Sequence, residues 1–485
     1  WRSAADEINY RRFFDINELA AICMELPEVF HAAHALLRPY LADGTIDGLR
    51  IDHVDGLFDP EQYLWRLQWA YVADLGAEIF HAHFSLERNT YSLERSTDAQ
   101  MPQAADSQPG EPIGGPRRQW RQIAPLVLGI CARALGMRQP GVEDLRAVLC
   151  PDPAWNQVPL TAREPSSRLS GNAAAAMFVL VEKILGPDEP LPESWPVSGT
   201  SGYDFLNSLS GLFVVPQGYA EIVRIYDRFL GEPSDLNQVE YASKLLILRV
   251  AMASELQMLA HRLNRISEQH RRSRDFTLNN LRLAIREVLA CFPVYRVYPG
   301  REGISDRDCR FVNLAVAQAR RRNPAFDPAV YEFLRSVLLL NHPPGLSPEQ
   351  IAEREVFTGK FQQVTSPVMA KGVEDTAFYV HVPLVSVNEV GADPRRPATS
   401  VAEFHESNRQ RNLRLPRAML ATSTHDTKRS EDVRARLHVL SEMPREWRSA
   451  INRFARSNKR FVREVDGEPA PSKSEEYHYY QSLLG

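Results

Sequence analysis

The sequence predicts an α/β protein built on a (β/α)8 TIM barrel, incomplete at its N-terminus and interrupted by large helical insertions. Three short segments support this prediction, because each is an apolar run that ends abruptly in a carboxylate. They are Arg50-Ile-Asp52-His53, Val179-Leu-Val-Glu182 and Thr424-His425-Asp426. A parallel barrel strand presents an acidic side chain at its C-terminal end in this way.

Length and composition set broad limits. A chain of 485 residues is longer than one compact hydrophobic core usually accommodates, so two or three domains are expected. The apolar fraction of 44% and the charged fraction of 24% are ordinary for a soluble globular protein. The net charge of −4 gives no electrostatic case for nucleic acid or an anionic membrane as partner. No apolar run approaches the roughly 20 residues of a membrane span.

The five cysteines are odd in number, scattered along the chain and without C-x-x-C spacing. This pattern indicates free thiols in a reducing cytoplasm rather than a disulfide framework or a zinc site. We therefore predict a cytoplasmic protein. The five are Cys23, Cys131, Cys150, Cys291 and Cys309.

The N-terminal part predicts the first portion of the barrel, over residues 1–70. Residues 1–45 are predicted to be helical, from apolar residues at helical spacing between Ile22 and Leu37. A short strand then ends at Asp52, and Pro60 is placed to begin a helix.

Residues 71–172 differ in texture and are predicted to form an inserted subdomain of unknown role. Met101 to Arg118 is rich in proline, glycine and polar residues, which is typical of an exposed linker. A helix is expected over 123–135. This excursion separates Asp52 from Glu182 in the sequence.

The remaining segments follow from periodicity and composition. Residues 173–181 are a small-residue run followed by a buried-strand pattern that ends at Glu182. Further strands are expected over 294–298 and 418–422, and apolar residues at intervals of three and four predict helices over 241–290. The predicted organisation is a barrel part carrying Glu182 (173–240), a helical insertion (241–290), a barrel strand (291–302), a helical subdomain (303–415), a last strand with its site loop (416–440) and a C-terminal helical part (441–485).

Arg50 precedes Asp52 by two residues, so both side chains share one face of the strand. A guanidinium beside a carboxylate favours its ionised form, which suits a nucleophile. A buried structural Arg–Asp pair fits this spacing equally well.

Glu182 ends a strand that is apolar throughout, so we expect its carboxyl to lie against hydrophobic walls. Desolvation raises the pKa of a carboxyl, as a general acid needs near neutral pH. The alternative is a strand-end glutamate that caps the next helix.

The adjacent imidazole and carboxylate of His425 and Asp426 are suited to hold neighbouring sugar hydroxyls. Two alternatives remain open. Thr424 or Asp426 could cap a helix, or the pair could bind a metal together with His53 and Asp55, although no clustered histidine spacing supports a metal site. Together, three carboxylates on three strands provide the nucleophile, the acid/base and the sugar-holding group of a retaining glycosidase or transglycosylase.

Longer strings around these residues resemble the maltooligosyltrehalose synthase family of the α-amylase superfamily, glycoside hydrolase family 13. The resemblance covers most of the chain. The matching strings are Ile8–Asn17, Arg50–Pro60, Val181–Leu185, Pro367–Tyr379 and Thr424–Arg434.

The resemblance implies an intramolecular transglycosylation. The reducing-end α-1,4 bond of a maltooligosaccharide becomes an α,α-1,1 bond, with Asp52 as nucleophile, Glu182 as acid/base and Asp426 as third catalytic carboxylate. This chemistry requires no metal and no organic cofactor. The expected partners are an α-1,4-glucan substrate and a trehalohydrolase that acts on the product, with no nucleic acid and no membrane.

The resemblance also suggests residues that bind the substrate. Residues 367–379 are expected to close a pocket for the reducing-end glucose, with a cation, an acceptor and an aromatic platform. A purely structural role is at least as compatible with each pocket residue. The predicted binding residues are Arg50, His53, His425, Lys371, Asp375, Tyr379, Tyr10 and Arg11, with Asn9 as a further contact.

One departure from the superfamily bears on completeness. Its Asp-x-x-x-Asn-His string is absent, and the pair Asn341-His342 has no aspartate four residues before the asparagine. We therefore expect the opening barrel strands to precede Trp1, and the isolated chain to be inactive or badly folded. The alternatives to a synthase are an amylase-like α-1,4-glucan hydrolase, a catalytically silent α-glucan-binding module and, more remotely, a phosphohydrolase.

Overall fold

The computed structural model describes residues 10–13, 16–94, 116–134, 137–140, 148, 175–186, 189–299 and 303–485. These residues form a mostly helical α/β structure. The strands are β1 (Arg12–Phe13), β2 (Ile16–Ala20), β3 (Gly48–Ile51), β4 (Phe178–Val181), β5 (Gly199–Thr200), β6 (Arg463–Val465) and β7 (Glu468–Ala470). The α-helices are Pro27–His34, Leu37–Ala42, Pro60–Glu94, Pro116–Ala134, Tyr203–Gly211, Pro216–Leu230, Leu236–Val250, Ala253–Glu268, Leu278–Ala290, Asp306–Arg322, Pro328–Leu338, Pro348–Met369, Phe378–Val380, Val401–Arg414, Glu431–His438, Pro444–Asn458 and Lys473–Leu484.

A three-stranded parallel sheet, in the order β3-β4-β5, lies at the centre of the predicted barrel region. Arg50 pairs with Leu180 and Ile51 with Val181, so β3 and β4 end at the same edge. Within the described ranges these strands do not continue into a closed barrel. The closed TIM barrel is therefore not observed, whereas the α/β class and the strands before Asp52 and Glu182 are.

The strand predicted over 294–298 is wrong. Residues 294–297 are buried, but 294–295 form a bend and the segment pairs with no strand among the described residues. The N–H of Val297 donates to Oε1 of Gln362 at 3.0 Å, and that of Tyr298 to Oδ2 of Asp308 at 3.1 Å. These backbone N–H groups therefore bond to side-chain oxygens instead of to a neighbouring strand, although the apolar pattern is that of a buried strand.

The strand predicted over 418–422 is also wrong. This segment approaches β5, and the N–H of Met419 donates to the carbonyl of Thr200 at 3.3 Å, but no ladder forms. The approach is close enough that a Cβ on Gly202, whose φ is +91°, would lie 2.5 Å from the Met419 carbonyl oxygen. The segment lies at the expected place without being a strand.

The prediction of helices throughout residues 1–45 is wrong for its first part. The described residues before 21 form the β1–β2 hairpin, and the first helix begins at Pro27. Arg12, on β1, is buried and pairs with Glu255 at 2.9 Å. A long-range ion pair therefore anchors the hairpin, which local periodicity does not reveal.

The described part of the 71–172 excursion is continuous with the sheet region. The helix Pro60–Glu94 runs through residue 71, and the helix Pro116–Ala134 replaces the end of the predicted linker. Leu128 and Val148 belong to the same apolar cluster as Val179 of β4. Most of the predicted linker, residues 101–115, lies outside the described residues.

The helices predicted over 241–290 are confirmed, and they build a separate apolar core with the helices that follow. Among the helices of the described ranges, none combines the length and apolar character that spanning a bilayer requires. The cysteines within these ranges, Cys23, Cys131, Cys291 and Cys309, are free thiols. Cys150 lies outside them.

Candidate active site

Asp52 and Glu182 follow the ends of adjacent parallel strands. The N–H of Glu182 donates to the carbonyl of Ile51 at 2.8 Å, which continues the β3–β4 register by one step. The N–H of His53 then donates to Oε2 of Glu182 at 2.7 Å. The two carboxylates thus lie at one edge of the sheet. The Glu182 carboxylate is bonded to the backbone of the residue that follows Asp52. The carboxylate of Glu182 bonds to this turn rather than capping a helix.

Asp52 is the more exposed of the two carboxylates. Nη1 of Arg50 donates a hydrogen bond to Oδ1 of Asp52, as the two-residue spacing predicts. The Asp52 side chain is 57% exposed, so the pair is not a buried structural one. An exposed ion pair contributes little to stability. Its effect is to orient the Asp52 carboxyl group at the surface of the site.

Glu182 lies in the opposite environment. Burial raises the pKa of Glu182 to about 7; the neighbouring Asp52 and Asp55 add to this, and the hydrogen bond from His53 opposes it. A carboxyl with such a pKa is about half protonated near neutral pH. It can donate a proton in one step and accept one in the next.

His53 lies between these groups and the N-terminal hairpin. Its backbone is in the left-handed region, with φ of +45° and ψ of +47°, which directs its N–H towards Glu182. Burial lowers the pKa of His53 to about 4, so the imidazole is neutral at neutral pH. Its ring meets Phe13 edge-on at 5.6 Å. Arg11 lies nearby, and burial together with Arg296 lowers the pKa of Arg11 to about 10.

A buried cluster of charged side chains lies next to the residues that follow Asp52 and Glu182. Nζ of Lys183 lies 3.5 Å from Oδ2 of Asp55 and 3.1 Å from Oε1 of Glu189. The hydroxyl of Tyr298 donates to the other oxygen of Asp55. Because Asp55 is used in this way, it is not available to the metal alternative. The described residues contain no group of three potential metal ligands.

The third carboxylate, Asp426, lies on the loop that follows the 418–422 segment. Nε2 of His425 is 3.0 Å from Oδ2 of Asp426, and both side chains are more than half exposed. The helix that follows begins at Glu431 and is capped by Ser430, so neither Thr424 nor Asp426 is its cap. The exposed His425–Asp426 pair is suited to hold adjacent hydroxyls.

Tyr203 connects this loop to the first two carboxylates. Its hydroxyl lies 3.0 Å from Oγ1 of Thr424. Burial raises the pKa of Tyr203 to about 12, with contributions from the negative charges of Asp426 and Glu182. Asp52 adds to the effect of burial on the pKa of Glu182, and Asp426 and Glu182 add to the effect of burial on the pKa of Tyr203. The three candidate carboxyl groups therefore lie near one another.

A buried glutamate holds the loop in place. Oε1 of Glu389 accepts the N–H of Lys428 at 2.7 Å, and Oε2 accepts the N–H of Arg429 at 3.3 Å. Arg434, 3.4 Å from Glu389, donates to the carbonyls of Arg429 and Thr422 at the two ends of the loop. Both side chains are 3% exposed.

The predicted pocket residues lie on an unusually wide turn. The π-helix Ala370–Ala377 directly follows the helix Pro348–Met369, and wide turns of this kind are frequent at functional sites. Nζ of Lys371 donates to Oδ2 of Asp375 at 2.7 Å. Tyr379 follows, 44% exposed. The arrangement presents a cation, an acceptor and a ring on one short segment.

The predicted N-terminal contacts are only partly brought to the site. Arg11 lies beside His53. The hydroxyl of Tyr10 instead donates to the carbonyl of Asn17 within its own hairpin, at 2.9 Å. Asn9 lies outside the described residues.

Sequence reasoning missed three residues at the site: Tyr203, Glu389 and Lys428. Lys428 lies within the matching string Thr424–Arg434, so its position offered a signal, whereas Tyr203 lies outside the matching strings. Glu389 carries no local pattern that distinguishes a buried glutamate from an exposed one.

Comparisons with known proteins identify related sequences and structures. No protein-family model matches the chain. A protein of Mycobacterium tuberculosis named as a maltooligosyl trehalose synthase is 28% identical over 443 residues, which is 91% of this chain and 41% of that protein. The chain thus spans less than half the length of the curated relatives it matches.

Solved structures give the same result. The maltooligosyltrehalose synthase of Arthrobacter ramosus is 27% identical, with a TM-score of 0.64 over all of this chain and 45% of that one. A hypothetical maltooligosyl trehalose synthase of Sulfolobus tokodaii, at 24% identity and a TM-score of 0.57, supports the fold alone. This chain is a distant homologue of the maltooligosyltrehalose synthases, over most of its own length and less than half of theirs.

Proposed function

We propose that the protein isomerises the reducing end of α-1,4-glucans, converting the terminal α-1,4 bond of a maltooligosaccharide to an α,α-1,1 bond. The observation that carries the proposal is the contrast between two adjacent carboxylates. Asp52 is exposed and paired with Arg50, whereas Glu182 is half-buried, and this burial raises its pKa to about 7. Two carboxyl groups in such different environments suit the nucleophile and the acid/base of a retaining mechanism.

In the first step, an oxygen of Asp52 attacks C1 of the glucosyl unit next to the reducing-end glucose. The bond from C1 to the bridging oxygen breaks, and Glu182 transfers its proton to that oxygen. The products are a glycosyl ester on Asp52 and a glucose molecule that remains bound. Asp426 and His425 hold hydroxyls of the sugar on which positive charge develops.

In the second step, the bound glucose reacts through its own anomeric hydroxyl. Glu182, now ionised, removes the proton of this hydroxyl, whose oxygen attacks C1 of the glycosyl ester. The ester bond to Asp52 breaks and the carboxylate is regenerated. Two inversions at C1 give net retention of configuration. The product ends in a trehalose unit, the substrate class on which a trehalohydrolase partner would act.

An amylase-like hydrolase is the second candidate. The Asp52 and Asp426 side chains are each more than half exposed, so water has access to the site. Hydrolysis would use the same first step, followed by attack of water on the glycosyl ester. The distinction depends on whether the pocket retains glucose and excludes water.

Incubation of the purified full-length protein with maltopentaose separates these candidates. Reducing ends and free glucose are measured together over time. Loss of reducing ends without release of glucose supports the isomerisation. A rise in reducing ends indicates the hydrolase, and no change in either with retained binding of maltopentaose indicates a glucan-binding protein.

A further inference from the structure

A buried lysine joins the two strand ends that carry the candidate nucleophile and the candidate acid/base. Lys183 directly follows Glu182, and its side chain is fully buried. Its Nζ lies 3.5 Å from Oδ2 of Asp55, which belongs to the 3-10 helix Val54–Gly56 shortly after Asp52. The lysine after one strand therefore pairs with a carboxylate of the turn after the other strand.

Lys183 also contacts a second buried carboxylate. Its Nζ lies 3.1 Å from Oε1 of Glu189 and donates to the carbonyl of Ile184 at 2.8 Å. The side chains of Asp55 and Glu189 are 6% and 2% exposed. Burial of a carboxylate is unfavourable unless a partner compensates its charge. One ammonium thus serves two carboxylates in the region next to Glu182.

Glu182 changes its protonation twice in the proposed reaction. It gives a proton to the bridging oxygen in the first step and takes one from the anomeric hydroxyl in the second. Burial raises the pKa of Glu182 to about 7, and the negative charges of Asp52 and Asp55 add to this effect. Asp55 therefore acts on the proton of Glu182, and any cation that compensates Asp55 acts on it in the opposite direction.

Other titratable groups near Glu182 keep one charge near pH 7. Burial lowers the pKa of His53 to about 4, raises that of Tyr203 to about 12 and raises that of Tyr295 well above its ordinary value of 10. Glu374 bonds to Tyr295, and burial raises its pKa to about 7 as well, so it requires a control. Further charged and titratable groups around Glu182 and Lys183 are Arg11, Arg50, Asp52, Arg296, Tyr298 and Arg307.

We propose that Lys183 is a positioning residue that acts through Glu182: its ammonium balances the buried carboxylates of Asp55 and Glu189, so that Glu182 can both donate its proton and take one back. This inference rests on the proposed function, which makes Glu182 the acid/base. Without the ammonium, an uncompensated negative charge would hold the proton on Glu182 more tightly. The first step would then continue to higher pH, whereas the second, which needs the ionised carboxylate, would slow.

The test measures kcat/KM against pH for the loss of reducing ends from maltopentaose in the full-length protein. Lys183→Met removes the charge and keeps most of the side-chain length. We expect the fall near pH 7 to move upward by about one pH unit, the size of shift that a neighbouring charge causes. Asp55→Asn removes the opposite charge and should move the fall downward. The combined variant removes both charges, so its profile should return close to that of the wild type.

Two controls separate this effect from loss of structure. Lys244→Met removes another buried ammonium, which donates to the carbonyl of Phe292 at 2.8 Å. It should leave the fall near pH 7 where it is, even if the melting temperature drops. In an enzyme that carries Glu374→Gln, Lys183→Met should still shift the profile by the same amount. A purely structural role of Lys183 would lower activity or stability without moving the profiles of Lys183→Met and Asp55→Asn in opposite directions.

An unmoved profile in an active Lys183→Met enzyme would overturn the inference and leave the proposed function intact, as would an equal shift in Lys244→Met. Should Lys183→Met fail to fold, Asp55→Asn is compared with the combined variant, and equal profiles for these two would overturn the inference. A wild type that releases glucose and forms no trehalose end groups would overturn the proposed function, while the same shifts, measured on hydrolysis, would still support this role of Lys183. A wild type without either activity would overturn both.

Discussion

The backbone N–H of His53 donates a 2.7 Å hydrogen bond to Oε2 of Glu182. The residue that follows the candidate nucleophile therefore holds the candidate acid/base. The left-handed backbone of His53 makes this bond possible, because it turns the chain immediately after Asp52. The position of the two carboxylates relative to each other is thus determined by one turn, and the bond partly offsets the effect of burial on Glu182.

Asp52→Asn should abolish turnover of maltopentaose while preserving the fold. The amide cannot form the glycosyl ester, and loss of a nucleophile reduces kcat by roughly 10⁴- to 10⁶-fold in well-studied cases. Rates are measured in the full-length protein together with the melting temperature. Asp43→Asn, at an exposed loop position, is the control and should keep full activity. Near-normal rates in Asp52→Asn would remove this residue from the nucleophile role.

The pH dependence should report Glu182. The first step requires its protonated form, and its pKa is raised to about 7 by burial. We therefore expect kcat/KM to fall as the pH rises through about 7. Glu182→Gln should lower kcat by roughly 10²- to 10⁴-fold, the usual contribution of a general acid. Its residual activity should lack the fall near pH 7; a profile identical in shape to that of the wild type would assign the ionisation to another group.

Glu374 should make stability depend on pH. Its carboxylate accepts hydrogen bonds from the Tyr295 hydroxyl and from the N–H of Gly391, and burial raises its pKa to about 7. The folded state therefore binds the proton more tightly than the unfolded state, whose ordinary pKa is 4.5. The stabilisation is complete below pH 4.5 and is lost as the pH rises through about 7.

Glu374→Gln tests this dependence by measuring melting temperatures at pH 4.5 and pH 8. The neutral amide still accepts both hydrogen bonds, so the variant should match the wild type at the lower pH and exceed it at the higher. Glu355→Gln, on the exposed side of the helix Pro348–Met369, should show no such difference. Equal melting temperatures for Glu374→Gln and wild type at both pH values would contradict the prediction.

Glu389→Ala should destabilise the protein by about 3–5 kcal/mol, the usual effect of removing one partner of a buried ion pair. The substitution leaves Arg434 and the N–H groups of Lys428 and Arg429 without their acceptor. Urea unfolding provides the measurement. Glu406→Ala, which removes an exposed pair with Arg409, should leave the unfolding midpoint unchanged. Equal midpoints for the two variants would mean that Glu389 does not hold the loop.

The predicted features that hold are local ones. Arg50 lies beside Asp52 because the side-chain period of a strand is two. The partial burial of Glu182 follows from the apolar run before it. The helices over 241–290 follow from apolar spacing. Each of these patterns involves residues within a few positions of one another.

The tertiary structure decided the rest. The segments 294–298 and 418–422 have strand-like sequences, but neither is a strand. A side chain accepts the N–H of Val297 in the first segment, and the second passes close to Gly202. Glu374 meets Tyr295 across 79 positions, and Lys428 meets Asp375 across 53. Contacts of this range depend on how helices and loops pack, which no periodicity encodes. The sequence by itself therefore identified the candidate carboxylates, and only the packed chain showed which buried groups lie around them.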